Sequence, residues 1–492
     1  MSMDRVVAAL EDAGVGVRAM IPADGALADI AVNGVQQDSR AVEPGNLFVA
    51  WSGHAHDAHD YLPAAAAAGA AAAIVERPVT DTPLPQFQVD NARLAAAIAS
   101  GLVAGSPWRS LRTVGVTGTN GKTTTALLLR ELLAAEGPAA AIGTLGVVGA
   151  DGRVLDGTEG LTTPGPVQIA ARLAELAREG VRGVVLETSS HALDQFRLDG
   201  VRFDVMAFTN LTRDHLDYHG TLDRYLAAKT RLLELGKEGS TAVINADDPA
   251  WHALRPAGAT LTYGLAPDAD VRAERLELSA RHSRFELVAR GEREPVELPL
   301  PGRFNVSNAL CAAAGALALG RPLAAVAAGL RDVSPVPGRL ERIASDPFDV
   351  LVDFAHTPDA LEQILKTMKP LVAGRLIVVF GAGGDRDPTK RPAMGAAVAR
   401  HADIAVVTSD NPRTEDPVAI AAEVSAGVRG CESVEIVDRL SAIHWALEAA
   451  RPGDTVILAG KGHETYQVVG TEKLPFEERR IVEKRLAGRV AS

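Results

Sequence analysis

Residues 111–124 read Leu-Arg-Thr-Val-Gly-Val-Thr-Gly-Thr-Asn-Gly-Lys-Thr-Thr. A β-branched run (Thr113, Val114, Val116, Thr117) gives way to Gly118-Thr119-Asn120-Gly121-Lys122-Thr123-Thr124. An apolar, helix-forming segment follows from Ala126 to Ala135. The order is strand, glycine loop, helix. Glycines let backbone N–H groups crowd around an anion, and the helix N-terminus adds a favourable dipole. In that geometry Lys122 reaches the β- and γ-phosphates of a nucleotide, and the Thr123 hydroxyl sits on Mg²⁺. The loop is a short variant. Val116 stands where the commoner spacing has its first glycine.

A chain of 492 residues is too long for one hydrophobic core, so several domains are expected. Residues 1–108 read as a small α/β domain. It has a helical start at Val6–Leu10 and strands at Leu47–Ala50 and Ala72–Glu76. A polar stretch, GHAHDAHDY, lies at 53–61, and a Pro-rich loop runs from Pro78 to Pro85. Residues 109–335 alternate strands (Val114–Thr117, Gly183–Glu187, Val205–Asn210, Thr241–Asn245) with helices, then show antiparallel alternation at 270–300. Residues 336–492 restart the alternation, with strands expected at Val350–Phe354, Leu376–Phe380, Ile404–Thr408, Val434–Val437 and Thr455–Ala459. The fold class is α/β in three domains. A central, P-loop-containing, mainly parallel sheet is followed by a C-terminal Rossmann-like domain.

Polar residues gather where these strands end. Thr162-Thr163-Pro164-Gly165 precedes a helix, and its hydroxyls suit an anion or a helix cap. Glu187-Thr188-Ser189-Ser190-His191 follows an apolar strand, where nucleotide-binding folds place a Mg²⁺ carboxylate, or an exposed acid caps a helix. Asn210–Asp217 puts His215 and two carboxylates at the same edge. In the last third, Asp353–His356, Gly381–Asp387, Asp410–Arg413 and Gly460–Glu464 load four strand ends. Ordinary turns do not concentrate on one side of a sheet. Taken alone, Asp38-Ser39-Arg40 reads as a polar turn and Lys229 as a surface lysine of a helix.

The net charge of −12 argues against a nucleic-acid partner, which wants a basic face. Two cysteines, Cys311 and Cys431, make neither a disulfide framework nor a metal spacing and fit a reducing compartment. The N-terminal stretch carries acids, which argues against a signal peptide, and the longest apolar run, near residues 63–75, is too short to span a bilayer. A cytoplasmic monomer acting on small molecules, without membrane or nucleic-acid partners, is the expectation.

Together the motifs resemble the Mur ligases, ATP-dependent amide-forming enzymes of peptidoglycan synthesis. They are DSR at 38–40, GTNGKTT at 118–124, LTTPG at 161–165, ETSSHAL at 187–193, NLTRDHLDYHG at 210–220, DFAHTPDAL at 353–361, DNPR at 410–413 and GKGHE at 460–464. Within the family the chain looks like the type that adds a diamino acid to UDP-N-acetylmuramoyl-L-alanyl-D-glutamate. The resemblance implies ATP and Mg²⁺ as co-substrate and cofactor. Gly118, Thr119, Asn120, Gly121, Lys122, Thr123 and Thr124 would hold ATP, with Asn308, Arg339, Asp353 and His356 on the nucleotide side. Ser39, Thr162, Thr163, Ser189, Gln195 and Arg197 would hold the UDP-dipeptide. Lys122, Glu187, His215 and Lys229 would be catalytic, and Thr123, Glu187, His215 and Lys229 would form the Mg²⁺ environment, with Lys229 as a CO₂-derived carbamate. Arg386, Asp410, Asn411, Pro412, Arg413, Gly460 and Glu464 would take the incoming amino acid.

Arg413 then points to diaminopimelate. A guanidinium pairs bidentately with a carboxylate, and L-lysine has no distal carboxylate. The meso isomer is expected. The alternatives are the LL isomer, L-lysine, or a folylpolyglutamate-synthase-like ligase, and DSR and DNPR argue against the last of these. Ala58, Phe354 and Glu478 stand where the family more often has Gly, Tyr and Asp.

Overall fold

The computed structural model describes residues 1–20, 27–53, 56–155 and 160–490. His54 and Ala55 of the polar 53–61 stretch lie outside the described residues. The chain forms two compact units: Met1–Arg272 with Asn308–Val326, and Ala273–Ser307 with Ala327–Ser492.

The first unit holds a small sheet of β1 (Val17–Met20), β2 (Gly34–Gln36), β3 (Asn46–Ala50), β4 (Ala72–Val75) and β5 (Gln86–Val89), in the order β1-β5-β4-β3-β2. All pairs are parallel except β1 with β5. Sequence reading finds β3 and β4, whose residues are all buried. It misses β1, β2 and β5, which are short and carry polar residues among the apolar ones.

The same unit contains β6 (Arg112–Thr117), β7 (Ala139–Gly143), β8 (Gly146–Val148), β9 (Val154–Leu155), β10 (Gly183–Glu187), β11 (Phe203–Phe208), β12 (Gly236–Asn245) and β13 (Ala259–Gly264). They run in the order β13-β12-β11-β6-β10-β7-β8-β9. From β13 to β7 the neighbours are parallel. Parallel strands covered on both faces read as unbroken apolar runs. Val184, Val185 and Leu186 of β10 accordingly sit in the interior. Packed with them are Ile142, Ile169, Leu173, Phe203, Phe208 and Trp251. The register sets Glu187 opposite Val116 and Phe208 opposite Thr117, so β6, β10 and β11 finish at one edge. That edge, where strand order reverses, is where open α/β sheets bind ligands.

Two glycines let the N-terminal segment dock on this sheet. A Cβ on Gly101, in the helix Ala92–Val103, would stand 2.5 Å from the Gly200 carbonyl oxygen. A Cβ on Gly200 would stand 2.1 Å from the Ala97 oxygen. Backbone lies on backbone there, so no side chain fits.

After β14 (Val271–Leu278), the second unit has the antiparallel pair β15 (Ser283–Ala289) and β16 (Glu292–Leu298), where the sequence alternates. Its main sheet holds β17 (Glu341–Ala344), β18 (Asp349–Asp353), β19 (Leu376–Phe380), β20 (Ile404–Val407), β21 (Glu432–Glu435) and β22 (Thr455–Ala459), in the order β17-β18-β22-β19-β20-β21. Only the β17–β18 pair is antiparallel. The fourth expected strand begins two residues early, because Glu432 pairs with Ile404. A hairpin of β23 (Tyr466–Val469) and β24 (Glu472–Pro475) follows.

Inside this unit Arg439 and Glu478 form an ion pair at 2.8 Å with both side chains out of solvent. Arg439 also donates to the Ala459 carbonyl at 2.9 Å. Removing one partner leaves an uncompensated buried charge. Glu478→Ala is expected to cost about 3 kcal/mol of stability, read as a lowered midpoint in urea unfolding. An unchanged midpoint would show that the pair contributes nothing.

Candidate active site

The glycine loop joins β6 to the helix Lys122–Ala134. Its shape is set by what lies against it. Gly118 has φ 147° and Gly121 has φ 84°. A Cβ on Gly118 would fall 1.8 Å from Thr209 Oγ1, and one on Gly121 would fall 2.2 Å from Asn308 Oδ1. Asn210 holds the loop through its carbonyl, which accepts from Thr119 N at 2.7 Å, and its Oδ1, which accepts from Asn120 N at 2.9 Å. The Thr209 hydroxyl donates to the Asn120 carbonyl at 2.7 Å. Lys122 folds over the loop, donating to the carbonyls of Gly118 at 3.0 Å and Thr119 at 2.8 Å. Thr124, one residue past Thr123, is buried in the helix's first turn.

Glu187, at the end of β10, is buried and sits at the centre of the site. Its carboxylate accepts from the Thr123 hydroxyl at 3.1 Å, the Thr144 amide at 2.9 Å and the Thr144 hydroxyl at 3.1 Å. Thr144 in turn lies 3.2 Å, oxygen to oxygen, from Thr162. Thr163 donates to the Glu187 carbonyl at 2.7 Å and accepts from Ser189 N at 3.0 Å. Arg197 donates to the Thr163 carbonyl at 2.8 Å and to Gln195 Oε1 at 2.7 Å. The loop 162–165, the segment 187–197 and the phosphate loop therefore meet on one carboxylate. The Gln37 side chain, two residues before Ser39, lies 3.0 Å from where a Gly165 Cβ would be. Ser39 itself opens a 3₁₀ turn capped by Asp38, to whose carboxylate Arg40 is bound.

Lys229 is not on the surface. Its side chain is 1% exposed, and its ammonium donates to the Gly118 carbonyl at 2.7 Å and lies 4.4 Å from the centre of the Tyr225 ring. Among the described residues no carboxylate forms an ion pair with it. Burial, and next the nearby Lys122 charge, push its pKa well below the ordinary lysine value. Charge without a partner is costly inside a protein, so the neutral amine is favoured.

His215 adopts a left-handed φ of 52° at the start of a short helix. Its ring lies 4.8 Å from that of His191 and 6.2 Å from that of Tyr225. Burial, followed by the His215 and His219 rings, lowers the His191 pKa to about 4. Non-glycine residues in this region cost about 1 kcal/mol each. Such strain gathers at functional loops. Asp385 and Arg413 adopt the same conformation in the second unit.

Asn308 lies in the helix Arg303–Ala318, inside it rather than at its first residue. In the second unit, Asp353 ends β18 and accepts from the amides of Leu340 and Ala355, both at 2.7 Å. Burial is the main cause raising its pKa. Arg339 stacks on the Phe354 ring at 4.7 Å, and the His356 ring contacts Phe354 at 4.7 Å.

Asp410, Asn411, Lys461 and Glu464 form a compact polar group. Lys461, fully buried, lies 3.4 Å from Asp410, 3.0 Å from Asn411 and 3.3 Å from Glu464. Gly460 passes close to this group, since a Cβ there would stand 3.2 Å from Asp410 Oδ2. Pro412 packs against Gly384, where a Cβ would meet the Pro412 carbonyl at 2.0 Å. Arg413 is half-buried. Its guanidinium donates to the Gly384 carbonyl at 2.7 Å, and no carboxylate among the described residues pairs with it. Arg386 is exposed and donates to its neighbour's carbonyl.

Sequence reasoning missed Thr144, Thr209, Tyr225 and Lys461. Thr144 follows β7, an alanine-rich strand without β-branched signals. Lys461 lies inside a motif that was singled out, but its burial has no sequence signature.

A parallel sheet with a glycine loop, its lysine and a buried carboxylate on the adjoining strand defines a nucleotide-loop α/β protein. The comparisons narrow that class. Residues 31–103 match the Mur ligase family catalytic domain, residues 116–316 the Mur ligase middle domain, and residues 338–462 the Mur ligase glutamate ligase domain. The chain is 43% identical over 491 residues to the UDP-N-acetylmuramoyl-L-alanyl-D-glutamate--2,6-diaminopimelate ligase of Geobacter metallireducens, covering 94% of this chain and 95% of that one. It is 43% identical over 482 residues to the ligase of the same name from Synechococcus elongatus, again covering 94% and 95%. A solved structure of a ligase of that name covers 99% of both chains at 34% identity with a TM-score of 0.71. The chain belongs to the Mur ligase family.

Gly121→Ala tests the loop. The new Cβ meets Asn308 and forces an L residue to positive φ, a strain of about 1–2 kcal/mol. The variant is expected to lose ADP affinity about tenfold or more by calorimetry, a change worth about 1.4 kcal/mol. Unaltered affinity would remove the loop from nucleotide binding.

Proposed function

We propose that this chain is an ATP-dependent ligase joining meso-2,6-diaminopimelate to the D-glutamate of UDP-N-acetylmuramoyl-L-alanyl-D-glutamate, releasing ADP and phosphate. It acts as a cytoplasmic monomer in peptidoglycan precursor synthesis. No helix among the described residues is long and apolar enough to cross a membrane. We place the domain divisions near residues 108 and 335. The observation that carries the reading is the meeting of two loops on Glu187. The phosphate loop reaches it through Thr123, and the 162–165 loop reaches it through Thr144. Two reactants held by those loops are held side by side, which is what a phosphoryl transfer between them needs.

Gly118–Thr124 cradle the triphosphate, and Lys122 turns from the loop carbonyls to the β/γ-phosphates. Asn308, Arg339, Asp353 and His356 serve the nucleotide. Ser39, Thr162, Thr163, Ser189, Gln195 and Arg197 hold the UDP-dipeptide with its free carboxylate toward the γ-phosphate. That carboxylate attacks the γ-phosphorus, the bond to ADP breaks, and an acyl phosphate and ADP result. The neutral amine of diaminopimelate then attacks the acyl carbon and phosphate leaves. No protein nucleophile is required.

By their chemistry the Glu187 carboxylate and the Thr123 hydroxyl, 3.1 Å apart, would hold Mg²⁺ together with His215 and an oxygen-bearing carbamate on Lys229. A neutral buried amine is the form that adds CO₂, and the lowered Lys229 pKa supplies it. A Mg²⁺ held by these residues would supply positive charge to offset that of the phosphates. Asp410, Asn411, Pro412, Arg413, Gly460, Glu464 and Arg386 take the diamino acid. The free edge of the Arg413 guanidinium suits the distal carboxylate that lysine lacks.

The test is phosphate release with ATP, Mg²⁺ and the UDP-dipeptide, adding meso-diaminopimelate, LL-diaminopimelate, L-lysine or L-ornithine separately, with product mass checked. Stimulation by the meso isomer with the matching tripeptide mass is expected. Silence in every tube from folded, ADP-binding protein overturns the reading. Lys229→Ala is expected to lose ligation at least about a hundredfold, the scale seen when one charge-stabilising group is removed, with partial rescue by added short carboxylates. Wild-type turnover in that variant removes Lys229 from the site. Arg413→Ala is expected to raise the KM for diaminopimelate about a hundredfold while the KM for ATP stays within about twofold. Equal losses indicate misfolding instead.

A further inference from the structure

The loop 409–413 is gripped along one side by a hairpin to which the proposed reaction gives no role. The hairpin pairs β23 with β24 in a sheet of only two strands. Val469 of its first strand forms a parallel bridge with Arg413. Arg413 N donates to the Val468 carbonyl at 3.1 Å, and Gly470 N donates to the Arg413 carbonyl at 2.8 Å. Val468 N donates to Asn411 Oδ1 at 2.9 Å. The Gln467 side chain completes the seam. Its Nε2 donates to the Asp410 carbonyl at 2.5 Å and to Ser409 Oγ at 3.1 Å. A backbone carbonyl only accepts, so the nitrogen end of the Gln467 amide is the end that faces Asp410.

These bonds bear on a strained residue. Arg413 has φ 52°, a left-handed conformation that an L side chain disfavours. Such a conformation persists only where its surroundings over-determine it. The hairpin takes both backbone groups of Arg413, while Gly384 takes one guanidinium nitrogen at 2.7 Å. The hairpin therefore sets the backbone angle and Gly384 fixes the tip. A two-stranded hairpin is only marginally stable by itself. Val469 and Leu474 are exposed, so this hairpin depends on its bonds to the loop for its place. Gln467 supplies the side-chain bonds, and they fall at the start of the loop, on Ser409 and Asp410.

We propose that Gln467 is a positioning residue for the diamino-acid site: by tying the hairpin to Ser409 and Asp410 it holds Arg413 in its left-handed conformation and so aims the guanidinium at the distal carboxylate. The inference rests on the proposed reading of Arg413. Gln467 acts through Arg413 and not on a reactant. Without the Gln467 amide the hairpin keeps only backbone bonds and the Asn411 side chain as its hold on the loop, and the Arg413 backbone is freer to leave the strained angle. A planar guanidinium must meet a carboxylate edge-on, so a change of backbone angle at Arg413 weakens that pairing first. The nucleotide and dipeptide sites do not share this seam.

Gln467→Met keeps the chain length and loses the donor. The KM values for meso-diaminopimelate, ATP and the UDP-dipeptide are measured by phosphate release, with the urea midpoint as a check on folding. The KM for diaminopimelate is expected to rise about tenfold, the scale of one oriented hydrogen bond, while kcat and the other two KM values stay within about twofold. Gln467→Glu sets an acceptor against the Asp410 carbonyl and is expected to lose at least as much; it decides the matter if the methionine variant does not fold. On an Arg413→Ala background, Gln467→Met should raise the diaminopimelate KM by no more than about twofold further, because it acts through Arg413. A folded Gln467 variant with the wild-type KM for diaminopimelate overturns the inference. So does an equal rise in all three KM values, which marks a structural role only, or a double variant whose loss is the product of the two single losses. Wild-type protein that uses L-lysine as well as diaminopimelate overturns the reading of Arg413, and wild-type protein that forms no tripeptide overturns the functional reading itself. Those controls tell the failures apart.

Discussion

The structure depends on one close approach, that of the Gly118–Gly121 backbone to the ends of its neighbours. Thr209 and Asn308 leave no volume for a side chain at either glycine. Thr209, Asn210 and the loop exchange hydrogen bonds that satisfy the loop's inward polar groups. Buried backbone groups must be paired, and Thr209 and Asn210, just past the end of β11, pair those of Thr119 and Asn120. The parallel register then brings Glu187 to the same edge. Each later piece of the site is placed relative to this contact.

Charge burial divides the site residues into two kinds. Lys461, Arg391 and Arg439 are as buried as Lys229, and each has an acidic partner: Asp410 and Glu464 for Lys461, Glu415 and Glu423 for Arg391, Glu478 for Arg439. Their ion pairs offset the cost of leaving water and hold loops together. Lys229 has a carbonyl and an aromatic ring instead. Burial without an acidic partner among the described residues holds its pKa well below the ordinary lysine value. The strand ends of the second unit show both arrangements. There Asp410, Asn411 and Glu464 gather around one ammonium, and Arg413 is left with no carboxylate among the described residues.

Much of the fold was legible. Strands β10, β19 and β22 begin and end where their apolar runs do. Short strands with polar residues, such as β2 and β5, were not legible, because pairing with neighbours makes them strands rather than their own pattern. The motif residues were visible as motifs, yet their surroundings were not. Lys229 reads as a surface lysine in LDRYLAAKTRLLEL, and only the packing of its helix against the phosphate loop buries it. Arg413 carried no sequence sign of its surroundings; it is half-buried and held to Gly384 by one nitrogen. Thr144 gave no signal, since a threonine after an alanine-rich strand has no spacing to mark it.

The sequence by itself determined the element types, the position of the glycine loop and the residue chemistry available at each strand end. Those follow from local preferences and from which runs are apolar, properties a short window contains. Only the tertiary structure decided which of those residues share one carboxylate and which lysine loses its water. Such outcomes depend on atoms tens of residues apart meeting in the same volume, and no local pattern encodes that meeting.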